Sequence, residues 1–202
     1  MARPAVVVTG GLVPPAMRAA YARAGLTLEE FGEARTVAQS EAQVRRMARL
    51  AGHPERGEAL VARIEAALRR ARPEPGMRPV SALVWQAGGM VPGSNTLITE
   101  LLTRTGFASF SAAKGMRQAD VLPLELLLAE PPRVILVAGG AVHAGPGENR
   151  LLAHPVLARL QGVRRFALAP RLEWCGGTTI IDAAGRLAQV RSTLRRAPGG
   201  PE

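Results

Sequence analysis

The feature that most constrains this chain is a motif used twice. MARPAVVVTGG opens the sequence, and EPPRVILVAGG (Glu130 to Gly140) has the same order: proline, a short β-branched apolar run, then a glycine pair. A short apolar run closed by breakers is a strand buried on both faces, and such strands belong to parallel sheets covered by helices. The second copy follows a helical pattern, LPLELLLAE, whereas nothing precedes the first.

Between and beyond the two copies, strand and helix patterns alternate. Pro14-Pro15 opens a helix that Gly25 stops, LTLEEF reads as a strand, and Ser40 with Gln43 forms a capping box before Val44, Met47 and Leu50. HPERGEALVARIEAALRRARP carries Leu60, Val61, Ile64, Ala67 and Leu68 at helical spacing between Pro54 and Pro73. About 18 residues at 1.5 Å each make a helix of roughly 27 Å, long enough to serve as a core element or a strut. RPEPGMRP then reads as a boundary.

After it the pattern restarts. PVSALVW is a strand, SNTLITELLTRTG a helix, RVILVAGG a strand, HPVLARLQG a helix, VRRFALAP a strand and GTTIIDAAGRLAQVRSTLRR a long last helix. Such alternation predicts α/β architecture with parallel strands and right-handed crossovers.

Composition narrows the function classes. Of 202 residues 47% are hydrophobic, enough for a sizeable core. The net charge of +10 comes from arginines spread along the chain, Lys114 being the sole lysine, and the 2 Trp, 1 Tyr and 4 Phe are poor material for stacking bases. Nucleic acid is therefore not an expected partner. One cysteine, Cys175, rules out an intrachain disulfide and a cysteine-rich zinc site. No stretch reaches the ~20 apolar residues of a membrane span, and the N-terminus lacks a secretory-signal pattern.

Ligands of open parallel sheets bind beyond the carboxyl ends of the strands, which directs attention to GGLVPP, WQAGGMVPGSN, AGGAVHAGPGEN and RLEWCGGTT. Gly88 and Gly93 have the spacing of a phosphate loop, but Ser94 stands where that loop needs lysine, and no GxGxxG fingerprint follows a strand. Tight βα turns account for the glycines. His53 and His154 precede prolines at helix starts, His143 has no metal-ligand neighbours, and Asp120 and Asp182 are the only aspartates. This is thin material for an enzyme, and no cofactor or metal is expected. Trp85 and Trp174 lie where ligands approach, with core packing as the plain alternative for Trp85.

Taken together, WQAGGMVPGSNTLITELLTRTGF, LPLELLLAEPPRVILVAGG and RLEWCGGTTIIDAAGRLA resemble the substrate-binding proteins of ABC importers for iron–siderophore complexes and cobalamin. The resemblance covers nearly the whole chain. It implies two Rossmann-like lobes with parallel sheets joined by one long rigid helix, ligand in the cleft between them, and a periplasmic location. On that pattern residues 1–52 are a remnant of the N-terminal lobe, 53–73 the connecting helix, 74–197 the C-terminal lobe and 198–202 a disordered tail. ARPAVVVTGG matches a strand that family chains reach only after a complete βαβ section, so the first lobe is expected to be incomplete, with an uncovered sheet edge open to self-association. By the same resemblance Trp85, Met90, Arg171 and Trp174 bind the solute, and Glu125 docks on the ABC permease. Ala119 replaces a tryptophan of some cobalamin binders, which favours an iron complex over a corrinoid. The alternative from another class is a cytoplasmic α/β enzyme that binds a nucleotide or small molecule through the glycine loops.

Overall fold

The computed structural model describes residues 6–138, 160, 162–174 and 176–196. The helix expected in HPVLARLQG, the tail, His143, His154 and Cys175 lie outside this set. The chain divides into two compact units, Met1–Ala34 and Arg35–Glu202.

The first unit is a β–α–β arrangement. β1 (Val6–Gly10) pairs in parallel with β2 (Thr27–Phe31), with Val6 opposite Thr27 and Gly10 opposite Phe31. Helix α1 (Pro15–Arg23) connects them, with proline in its first turn and Gly25 at φ +68° just past its end. Arg18 hydrogen-bonds Glu30 across this unit. No residue from Val6 to Ala34 is fully buried.

The second unit contains a four-stranded, wholly parallel sheet in the order β5-β3-β7-β8. Its strands are β3 (Val80–Trp85), β5 (Phe107–Ser109), β7 (Val134–Ala138) and β8 (Arg164–Leu168). The central pair is the most apolar: Leu83, Val134, Ile135 and Leu136 are completely buried, as strands covered on both faces require. A short antiparallel pair, β4 (Met90–Pro92) with β6 (Ala119–Val121), was not foreseen from the pattern.

Helices cover both faces. On one, α3 (Pro54–Ala71), α4 (Leu97–Arg104) and α8 (Thr179–Arg196) bring Ile64, Leu68, Leu101, Ile180, Ala184 and Leu187 into one cluster with Val84 and Leu136. On the other, α5 (Phe110–Ala113) and α6 (Leu124–Ala129) contribute Phe110 and Leu127 to a cluster with Leu83, Trp85, Val91 and Ile135.

Helix α2 (Val37–Leu50) differs from expectation. It starts ahead of the Ser40–Gln43 box, because the Thr36 hydroxyl caps it by accepting from the Gln39 amide at 3.1 Å. Ser40 lies inside the helix, 1% exposed, and its hydroxyl oxygen accepts from the Gly177 amide at 2.7 Å. The Val37 amide donates to Glu100 of α4 at 2.8 Å. Packed on α3 as well, α2 belongs to the second unit, so residues 1–52 are divided between the two units. The whole of α3 also lies in the second unit, against α8.

Candidate functional site

The carboxyl ends of β3 and β8 carry the residues singled out from the sequence. β3 ends at Trp85, and Gln86 leads into a tight turn over Ala87–Gly89 with Gly88 at φ +70°. The amide of Gln86 donates to the Met90 carbonyl at 2.9 Å, closing the turn and starting β4. Only glycine adopts this left-handed backbone without strain, so the glycine pair after β3 serves the turn.

Trp85 is 1% exposed and packs among Leu83, Phe110, Met116 and Leu127. Its indole is part of the core beneath the loop. Met90, five residues on, is 42% exposed at the start of β4, opposite Val121 of β6.

β8 ends at Leu168 and runs through Pro170 into α7 (Arg171–Trp174). Arg171 is exposed and pairs with Asp182 of α8 at 3.3 Å. Trp174 closes this short helix, and its side chain falls outside the described set.

Two residues passed over in the sequence connect these segments. The Gln86 side-chain amide donates to Glu173 at 2.8 Å, and both residues are buried, at 6% and 5% exposure. The bond ties the loop bearing Met90 to the helix bearing Arg171 and Trp174. Burial pushes the Glu173 carboxyl up to about 7, against the opposing effect of the Gln86 hydrogen bond. Among the described residues Gln86 Oε1 is buried without a partner, and a protonated Glu173 carries the O–H donor such an acceptor lacks. Each polar residue adjoins a tryptophan, in WQ and EW, at the end of a strand or its loop. A polar residue beside a buried-type aromatic at a strand end was the available signal.

The loop with phosphate-loop spacing is closed to phosphate. The amides of Gly93, Ser94 and Asn95 donate to the carbonyls of Gln118, Met116 and Arg117 at 2.7, 2.8 and 2.5 Å. The Gly93 carbonyl accepts from the Thr96 and Thr99 hydroxyls, each at 2.8 Å. An anion cradle needs free N–H groups, and here those of Gly93, Ser94 and Asn95 are engaged.

Glu125 lies in the first turn of α6, exposed, beyond Pro123. A carboxylate there is stabilised by the positive helix end. His53 precedes α3 without capping it through its side chain and lies 3.6 Å from Glu55. Among the described residues no group of three or more His, Cys, Asp or Glu side chains is arranged to hold a metal ion, and no helix is long and apolar enough to cross a membrane.

Comparisons with known proteins agree with this architecture. No curated protein sequence matches the chain. Among solved structures, the apo periplasmic heme-binding protein RhuT from Roseiflexus sp. RS-1 superposes with a TM-score of 0.75 at 24% identity, over 92% of this chain and 76% of that one. The periplasmic heme-binding protein HutB of Vibrio cholerae gives 0.77 at 18% identity, over 93% and 77%. The periplasmic vitamin B12-binding protein BtuF of Vibrio cholerae gives 0.71 at 14%, over 96% and 76%. At these identities the likeness is one of fold. The sequence itself matches the periplasmic binding protein family over residues 22–165, most of its length. That family serves ABC importers by binding solutes and is not a family of enzymes. The strand-end loops, the closed phosphate-type turn and the family match thus converge, and the chain belongs to the periplasmic binding protein family.

Proposed function

We propose that this chain is the solute-binding component of an ABC importer, capturing an iron complex of the siderophore type, or a related corrinoid or tetrapyrrole, and delivering it to a membrane permease. The observation that carries the reading is the family match over residues 22–165, joined to a site in which the strand-end segments bearing Met90 and Arg171 are tied by the Gln86–Glu173 bond. Met90 offers an exposed, polarizable apolar contact, and Arg171 a planar guanidinium suited to a ligand carboxylate. The family resemblance makes Trp174, at the end of the same short helix, a third contact. The names of the structural neighbours, heme-binding and vitamin B12-binding proteins, support a large metal-bearing organic ligand. We place the protein in the periplasm, where the family works. The nucleotide-binding alternative is disfavoured by the engaged amides of Gly93, Ser94 and Asn95.

The test is a titration of the purified chain with hemin, a ferric siderophore and cobalamin, followed by absorbance and thermal shift. One of these complexes is expected to bind and to raise Tm, since a ligand held only by the folded state stabilises it. Arg171→Ala and Met90→Ala should each weaken that binding about tenfold, the worth of one charged or well-packed contact. Stabilisation by nucleotides and by none of the metal complexes overturns the reading. Glu125→Ala should leave binding to the isolated protein unchanged and lower uptake through the reconstituted permease; weakened solute binding would remove Glu125 from the docking role.

A further inference from the structure

At the opposite, amino-terminal end of the same sheet, α3 and α8 finish side by side and surround a cleft of about 470 Å³. It adjoins a second cavity of about 340 Å³ beside the start of β3, and Met77, Arg191 and Arg195 border both. Six arginines line the pair: Arg70, Arg72, Arg78, Arg191, Arg195 and Arg196. Among the described residues their only acidic companion in the lining is Glu74, held by Arg195 at 2.9 Å. Cations are welcome at helix carboxyl ends, where backbone carbonyls are unpaired, and this accounts for arginines in the last turns of both helices.

Arg191 needs a further account. It is 6% exposed, a full turn before the end of α8. Nη1 donates to the Thr105 carbonyl at 3.0 Å, and Nη2 lies 3.3 Å from the Met77 sulfur. A Cβ on Gly106 would stand 1.2 Å from Nη1, so the residue before β5 must be glycine for the guanidinium to sit there. No described carboxylate lies within ion-pairing distance of it. Burial, and then the neighbouring Arg195, lower its proton affinity, with Glu74 acting weakly the other way. A seated, buried guanidinium without a counter-charge, open to a cleft rich in further guanidinium groups, is an arrangement completed by an anion.

We propose that this cleft binds a multiply charged phosphate-type oxyanion, either free or as the headgroup of an anionic lipid. Guanidinium groups present paired N–H donors that match phosphate oxygens, and several of them around one cavity select for more than one negative charge. The volume is in the range of ligand sites. Helix α8 begins beside Arg171 and ends here, about 27 Å away along its axis. The anion site and the proposed solute site are therefore independent, and the anion site stands whether or not the chain carries an iron complex.

The experiment uses the whole chain and two probes, inorganic pyrophosphate and vesicles of phosphatidic acid or phosphatidylcholine. At constant ionic strength, pyrophosphate should raise Tm by several degrees where chloride does not. The exposed pair Arg72→Ser/Arg195→Ser should melt close to wild type in chloride, yet bind pyrophosphate at least about tenfold more weakly. Pyrophosphate binding without capture by either vesicle assigns the free anion. Capture by phosphatidic acid vesicles alone, reversed by pyrophosphate, assigns the headgroup. A wild-type chain that pyrophosphate stabilises no more than chloride, or a double variant that keeps the wild-type affinity, overturns the proposal.

Discussion

Glu173 shows how a single side chain makes the protein sensitive to pH. Its carboxyl is raised to about 7 in the folded chain, against an ordinary value of 4.5. The folded state therefore keeps this proton through a window in which the unfolded chain has already released it. Such a group favours folding most below pH 4.5, loses that contribution as pH rises towards 7, and adds no further change above it. The full effect is bounded at about 3 kcal/mol. We expect Glu173→Gln to flatten this part of the profile, because an amide keeps the shape and cannot titrate. Its N–H₂ also offers a donor to the orphaned Gln86 oxygen. The check is the difference in Tm between variant and wild type from pH 5 to pH 8. A difference that stays constant across the range means that Glu173 is ionised throughout.

At the scale of elements, the core and the site were legible to different degrees. PVSALVW, RVILVAGG and VRRFALAP became β3, β7 and β8, because an apolar run between breakers has few other places to go. PERGEALVARIEAALRRA became α3 residue for residue, its stripe of Val61, Ile64, Ala67 and Leu68 buried as the spacing required. The start of α2 was misread, since Thr36 and Ser40 are equally good caps by type and only tertiary contact separates them: Ser40 is taken up by Gly177, 137 residues away. The β4–β6 pair escaped notice because three-residue strands leave no period to count. Trp85 and Met90 belong to one loop in the sequence, yet one packs inward and the other faces solvent. The Gln86–Glu173 bond spans 87 positions, a separation that no local pattern encodes. Truncating a central strand tests the core. Leu136→Ala, at a completely buried position of β7, should lower unfolding free energy by about 2–5 kcal/mol, read from the denaturant midpoint with an unchanged slope.

Over the whole molecule, the two compact units differ in how much they bury. In the second, Leu83, Ile135, Leu136 and Leu187 are sealed off completely, while the first has no fully buried residue from Val6 to Ala34 and a sheet of only two strands. A two-stranded sheet is marginal in water, and local opening follows burial. Native-state hydrogen exchange should therefore find the amides of β1 and β2 exchanging at least about a hundredfold faster than those of β3 and β7. Comparable protection in both sheets would show that the first unit has the stability of the second.

The packing of α3 against α8 also imposes an order on the making of the protein. Ile64 and Leu68 are matched by Ile180, Ala184 and Leu187, which leave the ribosome more than a hundred residues later. At roughly 10 residues per second the nascent chain waits on the order of ten seconds before this face can close. The central strands β3 and β7 wait for each other in the same way. Until translation is nearly finished the second unit has no complete core to form, so the growing polypeptide keeps apolar faces such as that of α3 unpaired for most of its synthesis.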